Sequence, residues 1–165
     1  MNTLKIAWVL MLNLIWVSSF SQNPVLVTSD DFQGVIFSRI YEIPYSNEIP
    51  LENRFTPSKR EIMELEKSLK DQLKFINRNQ PNQGRHYGPI IHKNLRKYIR
   101  QYVGIINENG QRIIHVNFVW NGYSGTDDSW KSSFVIVMDG GSHFWNINYR
   151  IEEKEFFDFS VNGVA

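Results

Sequence analysis

Residues 112–120 read RIIHVNFVW. Ile114, Val116, Phe118 and Trp120 alternate with Ile113, His115, Asn117 and Val119, the period of a β-strand whose successive side chains point to opposite faces. A strand with one strongly apolar face must bury it, and the flanking sequence repeats the pattern. Upstream, Tyr98–Ile106 reads as a strand and Asn109-Gly110 as a hairpin turn, because this pair tolerates the positive φ angles that tight hairpins need. Downstream, Phe134–Met138 reads as a strand and Asp139-Gly140-Gly141 turns the chain. Trp145, Ile147, Tyr149 and Ile151 then alternate with Phe144, Asn146, Asn148 and Arg150. After the charged turn Glu152–Glu155, Phe157, Phe159 and Val161 supply the last apolar set. The expectation is a five-stranded antiparallel meander.

Ahead of the meander the period changes. Ile62, Leu65, Leu69, Leu73 and Ile76 recur at steps of three and four, one apolar stripe along a helix with charged flanks. Thr56-Pro57 reads as its start, the hydroxyl capping and the proline taking the first helical position. Residues 77–84, rich in Asn, Pro and Gly, end it. Val35–Ile43 reads as a first strand behind an exposed lead-in, Pro24–Phe32. Residues 22–165 are therefore expected to form a single α+β domain. Its one long helix packs on a curved antiparallel meander as a two-layer structure.

This element order resembles the cystatin-like folds, in which a sheet wraps one long helix, and more loosely the nuclear-transport-factor-like cone. Cystatin inhibitors carry a Gln-x-Val-x-Gly hairpin tip. Here Gln101-Tyr102-Val103-Gly104 places the glycine one position early and within a strand, so the resemblance does not extend to protease inhibition. The chain also resembles a group of small exported proteins of Bacteroidota-type bacteria. That likeness rests on Thr56-Pro57, Arg100-Gln101-Tyr102-Val103-Gly104, Asp139-Gly140-Gly141-Ser142 and Val161-Asn162-Gly163, and it implies no particular chemistry.

Residues 1–21 have the layout of a secretory signal peptide. Lys5 precedes a short apolar run, Ile6–Val17, and Ser19 and Ser21 sit at the small-residue positions of a cleavage site before Gln22. The run is too short to span a bilayer. Removal of Lys5 with the leader leaves equal numbers of basic and acidic residues, because the chain has 18 of the first and 17 of the second. That balance argues against a protein built for nucleic acid or a membrane surface. With no cysteine, the exported domain rests on its core without disulfides.

Chemistry is harder to find. His86, His92, His115 and His143 lack metal-ligand spacing, and no nucleophile elbow or phosphate-binding glycine loop occurs. Neither a metal nor a cofactor is expected. Between Arg78 and Arg112 seven basic residues (Arg78, Arg85, Lys93, Arg96, Lys97, Arg100 and Arg112) stand against Glu108. This run reads either as an anion site or as a solvated connection, and overall neutrality favours the solvated connection.

Two other places invite a ligand. If the helix covers one sheet face, the opposite face collects His115, Asn117, Asn146, Asn148 and Arg150, whose hydrogen-bonding groups suit a glycan or peptide. The loop 121–131 offers Tyr123 and Trp130 as aromatic anchors. The functional expectation is an exported, soluble, non-enzymatic binding protein of the cell envelope with a protein or glycan partner. The alternative is a small enzyme or small-ligand binder with a pocket between helix and sheet. Converging titratable groups in such a pocket point to the enzyme, and closed apolar packing points to the binder.

Overall fold

The computed structural model of the chain describes residues 23–44, 49–122 and 127–164. The leader read over residues 1–21 and the anchor Tyr123 lie outside these residues. The elements are β1 (Val25–Thr28), β2 (Gln33–Ile36), β3 (Arg54–Phe55), α1 (Lys59–Ile76), β4 (Tyr98–Ile106), β5 (Arg112–Trp120), β6 (Phe144–Arg150) and β7 (Glu155–Val161). They form an α+β protein with one helix and a mostly antiparallel open sheet in the order β1-β2-β4-β5-β6-β7, β3 also pairing with β4. The exception is β2, which runs parallel to β4. A parallel pair needs a long crossover, and the segment carrying α1 supplies it.

α1 begins two residues later than Thr56-Pro57 suggests. Ser58 is the N-cap, and its hydroxyl accepts from Glu61 N at 3.3 Å while the Glu61 carboxylate accepts from Ser58 N at 2.8 Å. This reciprocal pair satisfies donors that a bare helix end leaves unmade. The Thr56 hydroxyl instead accepts from Arg39 N at 2.9 Å. Ile62, Leu65, Leu69 and Leu73 are buried against Ile36, Tyr98, Tyr102, Ile114, Val116, Phe118, Trp145, Ile147 and Tyr149, and Ile76 packs at the margin. Phe118 and Trp145 stack with ring centroids 3.6 Å apart at its centre.

The β4–β5 hairpin forms as the sequence indicates. Its turn is closed by Asn107 Oδ1, which accepts from Asn109 N at 3.0 Å and from Gln111 N at 2.9 Å, with Gly110 at φ +76°. Three other expectations are corrected. Val25–Thr28, within the expected lead-in, is a strand paired with β2, and the expected strand Val35–Ile43 ends at Ile36. Beyond Phe37 the chain turns back, with Tyr41 N donating to Ser38 O at 2.9 Å and the Tyr41 ring packing on Phe37.

Phe134–Met138 is not a strand either: β6 pairs directly with β5, and the meander has four strands. Residues 134–137 lie across the sheet because side chains of β4 and β5 bond their backbone. Val135 N donates to Gln101 Oε1 at 2.8 Å, and Val135 O accepts from Asn117 Nδ2 at 2.8 Å. Gln101 Nε2 donates to Trp130 O and Ser133 O, each at 2.9 Å, so this buried carboxamide is fully satisfied. A second apolar cluster forms beneath the strap, with Val35, Phe37, Ile99, Val103, Val119, Trp130 and Phe144 buried.

The last correction concerns β7. The β6–β7 register shifts between Asn146 and Asn148, and Asp158 sits at φ +51°. A bulge reverses the facing of what precedes it. Phe156 joins Phe159 and Val161 on the helix side, and Phe157 moves to the other face beneath the Arg150 guanidinium, 3.9 Å from it.

Candidate functional site: a cationic pocket beside the helix

The helical spacing that buries Leu69 and Leu73 places Met63, Lys67, Lys70 and Lys74 along one edge of α1, at steps of four, three and four, with Glu66 beside them. This edge is one wall of a cavity of about 720 Å³. The facing wall is the irregular segment His92–Lys97, two short 3-10 turns pinned by the fully buried Ile91, whose N–H donates to Gln83 Oε1 at 2.9 Å. The β1–β2 turn contributes Ser29, Asp31 and Phe32, and Arg100 of β4 contributes from below.

Charge at this cavity is one-sided. Helix residues Lys67, Lys70 and Lys74, turn residues Lys93, Arg96 and Lys97, and Arg100 face only two carboxylates, Asp31 and Glu66. Asp31 is held by Lys70, with Nζ 2.7 Å from its carboxylate, and by the Arg96 guanidinium. Hydrogen bonds from Lys70 first and Arg96 second hold its carboxyl below the usual carboxylate range. Lys67, Lys74, Lys93 and Lys97 have no carboxylate within 4.0 Å among the described residues. Of the basic run, Arg78, Arg85 and Arg112 do not line this cavity, and Lys93, Arg96 and Lys97 are exposed at it. Lys93, Arg96, Lys97 and Arg100 converge with three helix lysines from well upstream.

Arg100 and Glu66 are both buried, with Arg100 Nε 3.4 Å from Glu66 Oε1. The contact is at ion-pair distance but lacks hydrogen-bond alignment, so Nε has no hydrogen-bond partner. The Arg100 guanidinium donates to Tyr98 O and lies 5.5 Å from the centres of the Phe32 and Phe118 rings. Tyr102 donates to Glu66 Oε1 at 2.7 Å, and burial first, then the Glu66 charge, push the phenol well above its ordinary pKa.

The sequence analysis singles out Arg100 only as one of a basic run and does not single out Glu66, yet signals of the pair existed. Glu66 falls inside the apolar stripe, between Leu65 and Leu69, and Arg100 has the parity of Tyr98 and Tyr102 on the helix-facing side of β4. His92 also lines the cavity. Asn77 Nδ2 donates to its Nδ1 at 3.1 Å, and burial, then the charges of Lys93 and Lys74, lower its pKa.

The far-face candidates do gather as the alternation implies. Asn117 pairs with Asn146, His115 with Asn148 and Ile113 with Arg150 in the β5–β6 ladder. They spend much of their bonding capacity on the protein itself. Asn117 holds the strap, His115 Nδ1 lies 2.8 Å from Asn148 Oδ1, and Arg150 donates to Glu155 at 2.6 Å. Trp130, read as a loop anchor, is buried in the second cluster with its carbonyl bonded to Gln101. Among the described residues no three His, Cys, Asp or Glu side chains converge as metal ligands, and no helix is long and apolar enough to cross a membrane.

The partly buried His115 gives a pH-dependent stability. Desolvation pushes its pKa below the ordinary 6.5, against a smaller upward pull from Asn148. As pH falls through that ordinary value the unfolded chain takes up a proton that the folded chain does not, so stability is full above it and drains away below. Urea unfolding should therefore show a lower free energy at about pH 5 than at about pH 7. His115→Gln should flatten that slope, and an unchanged slope would assign the loss to other groups.

No protein-family model, curated protein or solved structure matches the chain. Fold and site define an α+β protein with a cationic pocket at the edge of α1, and function has to be argued from that pocket's chemistry.

Proposed function

We propose that the protein is an exported binding protein that holds an anionic ligand in the pocket between α1, the β1–β2 turn and residues 92–97. The observation carrying this reading is the seven-to-two excess of cations over carboxylates around one cavity of about 720 Å³. Single-sign charge in a partly enclosed site raises the local concentration of a counter-charged ligand and repels its neutral and cationic competitors. In a chain whose net charge is only +1, such a concentration of one sign must be offset elsewhere.

Titratable groups do converge at this cavity, as the enzymatic alternative expects, but the acids and bases among them are engaged. Proton transfer needs a free acid or base within reach of substrate. Glu66 is engaged by Arg100 and Tyr102, and His92 Nδ1 is engaged by Asn77. Export rests on the Lys5, Ile6–Val17 and Ser19/Ser21 pattern, and an intact mass beginning at Gln22 is its check. The cystatin-like arrangement belongs to the same proposal, with the ligand entering at the helix edge and not at a hairpin tip.

Acetate, inorganic phosphate and decanoate, each followed by calorimetric titration at low and high ionic strength, test the anion reading. At least one should bind at low salt and weaken as salt rises, because exposed charges are screened beyond roughly 8–10 Å. Changing Lys67, Lys74 and Lys93 together to Gln should weaken that binding at least tenfold. Binding by none of the three, or binding indifferent to the triple change, contradicts the proposal.

A further inference from the structure

We infer that the ligand is an amphiphilic acid, a single alkyl or acyl chain carrying a carboxylate or phosphate head, seated head outward. The inference rests on the anion-binding reading above and names the class of anion. It follows from how charge and apolar surface are distributed with depth.

The apolar lining is the buried part. Phe32 and Leu73 are 6% and 2% exposed, and Leu95 is half-buried beside them. The cations without a carboxylate, Lys67, Lys74, Lys93 and Lys97, are all exposed and stand at the mouth. The one deep cation, Arg100, is answered by the equally deep Glu66, so the inner end offers no net charge to an anion. Long lysine stems add apolar surface between the two zones, since their methylenes lie along the wall while the ammonium groups stay in water. An anionic head is therefore met at the rim and an apolar body further in.

Size and donor type agree. A water occupies roughly 30 Å³ in the liquid. A lone phosphate or acetate is only a few times larger and leaves most of a cavity of about 720 Å³ unfilled. Sites that grip small phosphates use rigid backbone N–H groups or bidentate arginines. Here Arg96, at the mouth, is already bonded to Asp31, and the unpaired cations are flexible lysines. Lysines of this kind attract a head group without fixing it, so affinity must come from the chain. Met63, 46% exposed on the helix wall, is an apolar side chain that an entering chain would cover. Its unbranched, polarizable thioether adapts to irregular partners.

The test is calorimetric titration of the protein with decanoate and decyl phosphate, both below their micellar concentrations, beside acetate, inorganic phosphate and decanol. Each methylene buried should tighten binding roughly fourfold. Decanoate should therefore exceed acetate, or decyl phosphate exceed phosphate, by at least a hundredfold. The better of the two chained acids should exceed decanol by at least tenfold, and Lys67→Gln with Lys74→Gln should bring it down toward decanol. Which chained acid binds more tightly assigns the head group.

Met63→Asp, a change at an exposed position, should weaken the chained acids at least tenfold and leave the fold intact. If acetate or phosphate binds as tightly as its chained counterpart, the amphiphile is overturned and the anion pocket stands. If decanol equals both acids, or if nothing binds, the anion reading falls as well.

Discussion

Glu66→Ala is expected to destabilise the protein by about 3–5 kcal/mol, the usual cost of leaving one member of a buried ion pair without its partner. The Arg100 guanidinium is 1% exposed, so it cannot recover full hydration when the carboxylate disappears. Tyr102 simultaneously loses the acceptor at 2.7 Å from its buried hydroxyl. Urea unfolding measures the loss directly. Glu66→Gln, which keeps an acceptor for Tyr102 but removes the charge, should fall between wild type and Glu66→Ala. A loss below about 1 kcal/mol for Glu66→Ala would be the behaviour of a solvated pair. It would mean that water entering from the pocket already hydrates Arg100.

Leu69→Ala should cost about 2–5 kcal/mol, the range for removing a large aliphatic side chain from a packed core. Leu69 is fully buried in the middle of the stripe, between Leu65 and Leu73 on α1. Asp71→Ala, an exposed position two residues on, should stay within about 0.5 kcal/mol. Equal effects at the two positions in the same unfolding experiment would show that α1 does not present this stripe to the sheet.

The elements most legible in the sequence are those whose pattern has a single cause. The stripe Ile62–Leu65–Leu69–Leu73 and the set Ile114, Val116 and Phe118 each reflect one buried face and are found as read, while Val119 is buried on the sheet's other face. Val135 and Val137 defeat the same reasoning. Their alternation arises because a strap is pressed onto the sheet's second face by Gln101 and Asn117, not because the strap joins a ladder. β7 shows another limit: one residue at positive φ, Asp158, exchanges the facing of Phe156 and Phe157 while leaving the composition of the segment unchanged. Val25–Thr28 reads as a lead-in because a short edge strand buries almost nothing, and only Val27 of its four residues is buried.

The pocket is half legible. Lys93, Arg96, Lys97 and Arg100 stand together in the chain, but Lys67, Lys70 and Lys74 join them only through the packing of α1 beside residues 92–97. On the helix itself these lysines are indistinguishable from an ordinary solvated flank. Net charge says little about such a pocket, because it averages over the whole surface, whereas a ligand senses charges within about a Debye length.

The most direct measurement of the central claim is a two-dimensional amide NMR titration of the labelled protein with decanoate at low salt. The account predicts that the amides shifted in proportion to occupancy belong to residues 29–32, 63–74 and 92–97 around the pocket. Those of Asn117, Asn146, Asn148 and Arg150 on the far face should stay in place. Shifts centred on the far-face residues, with the pocket amides unmoved, would contradict it.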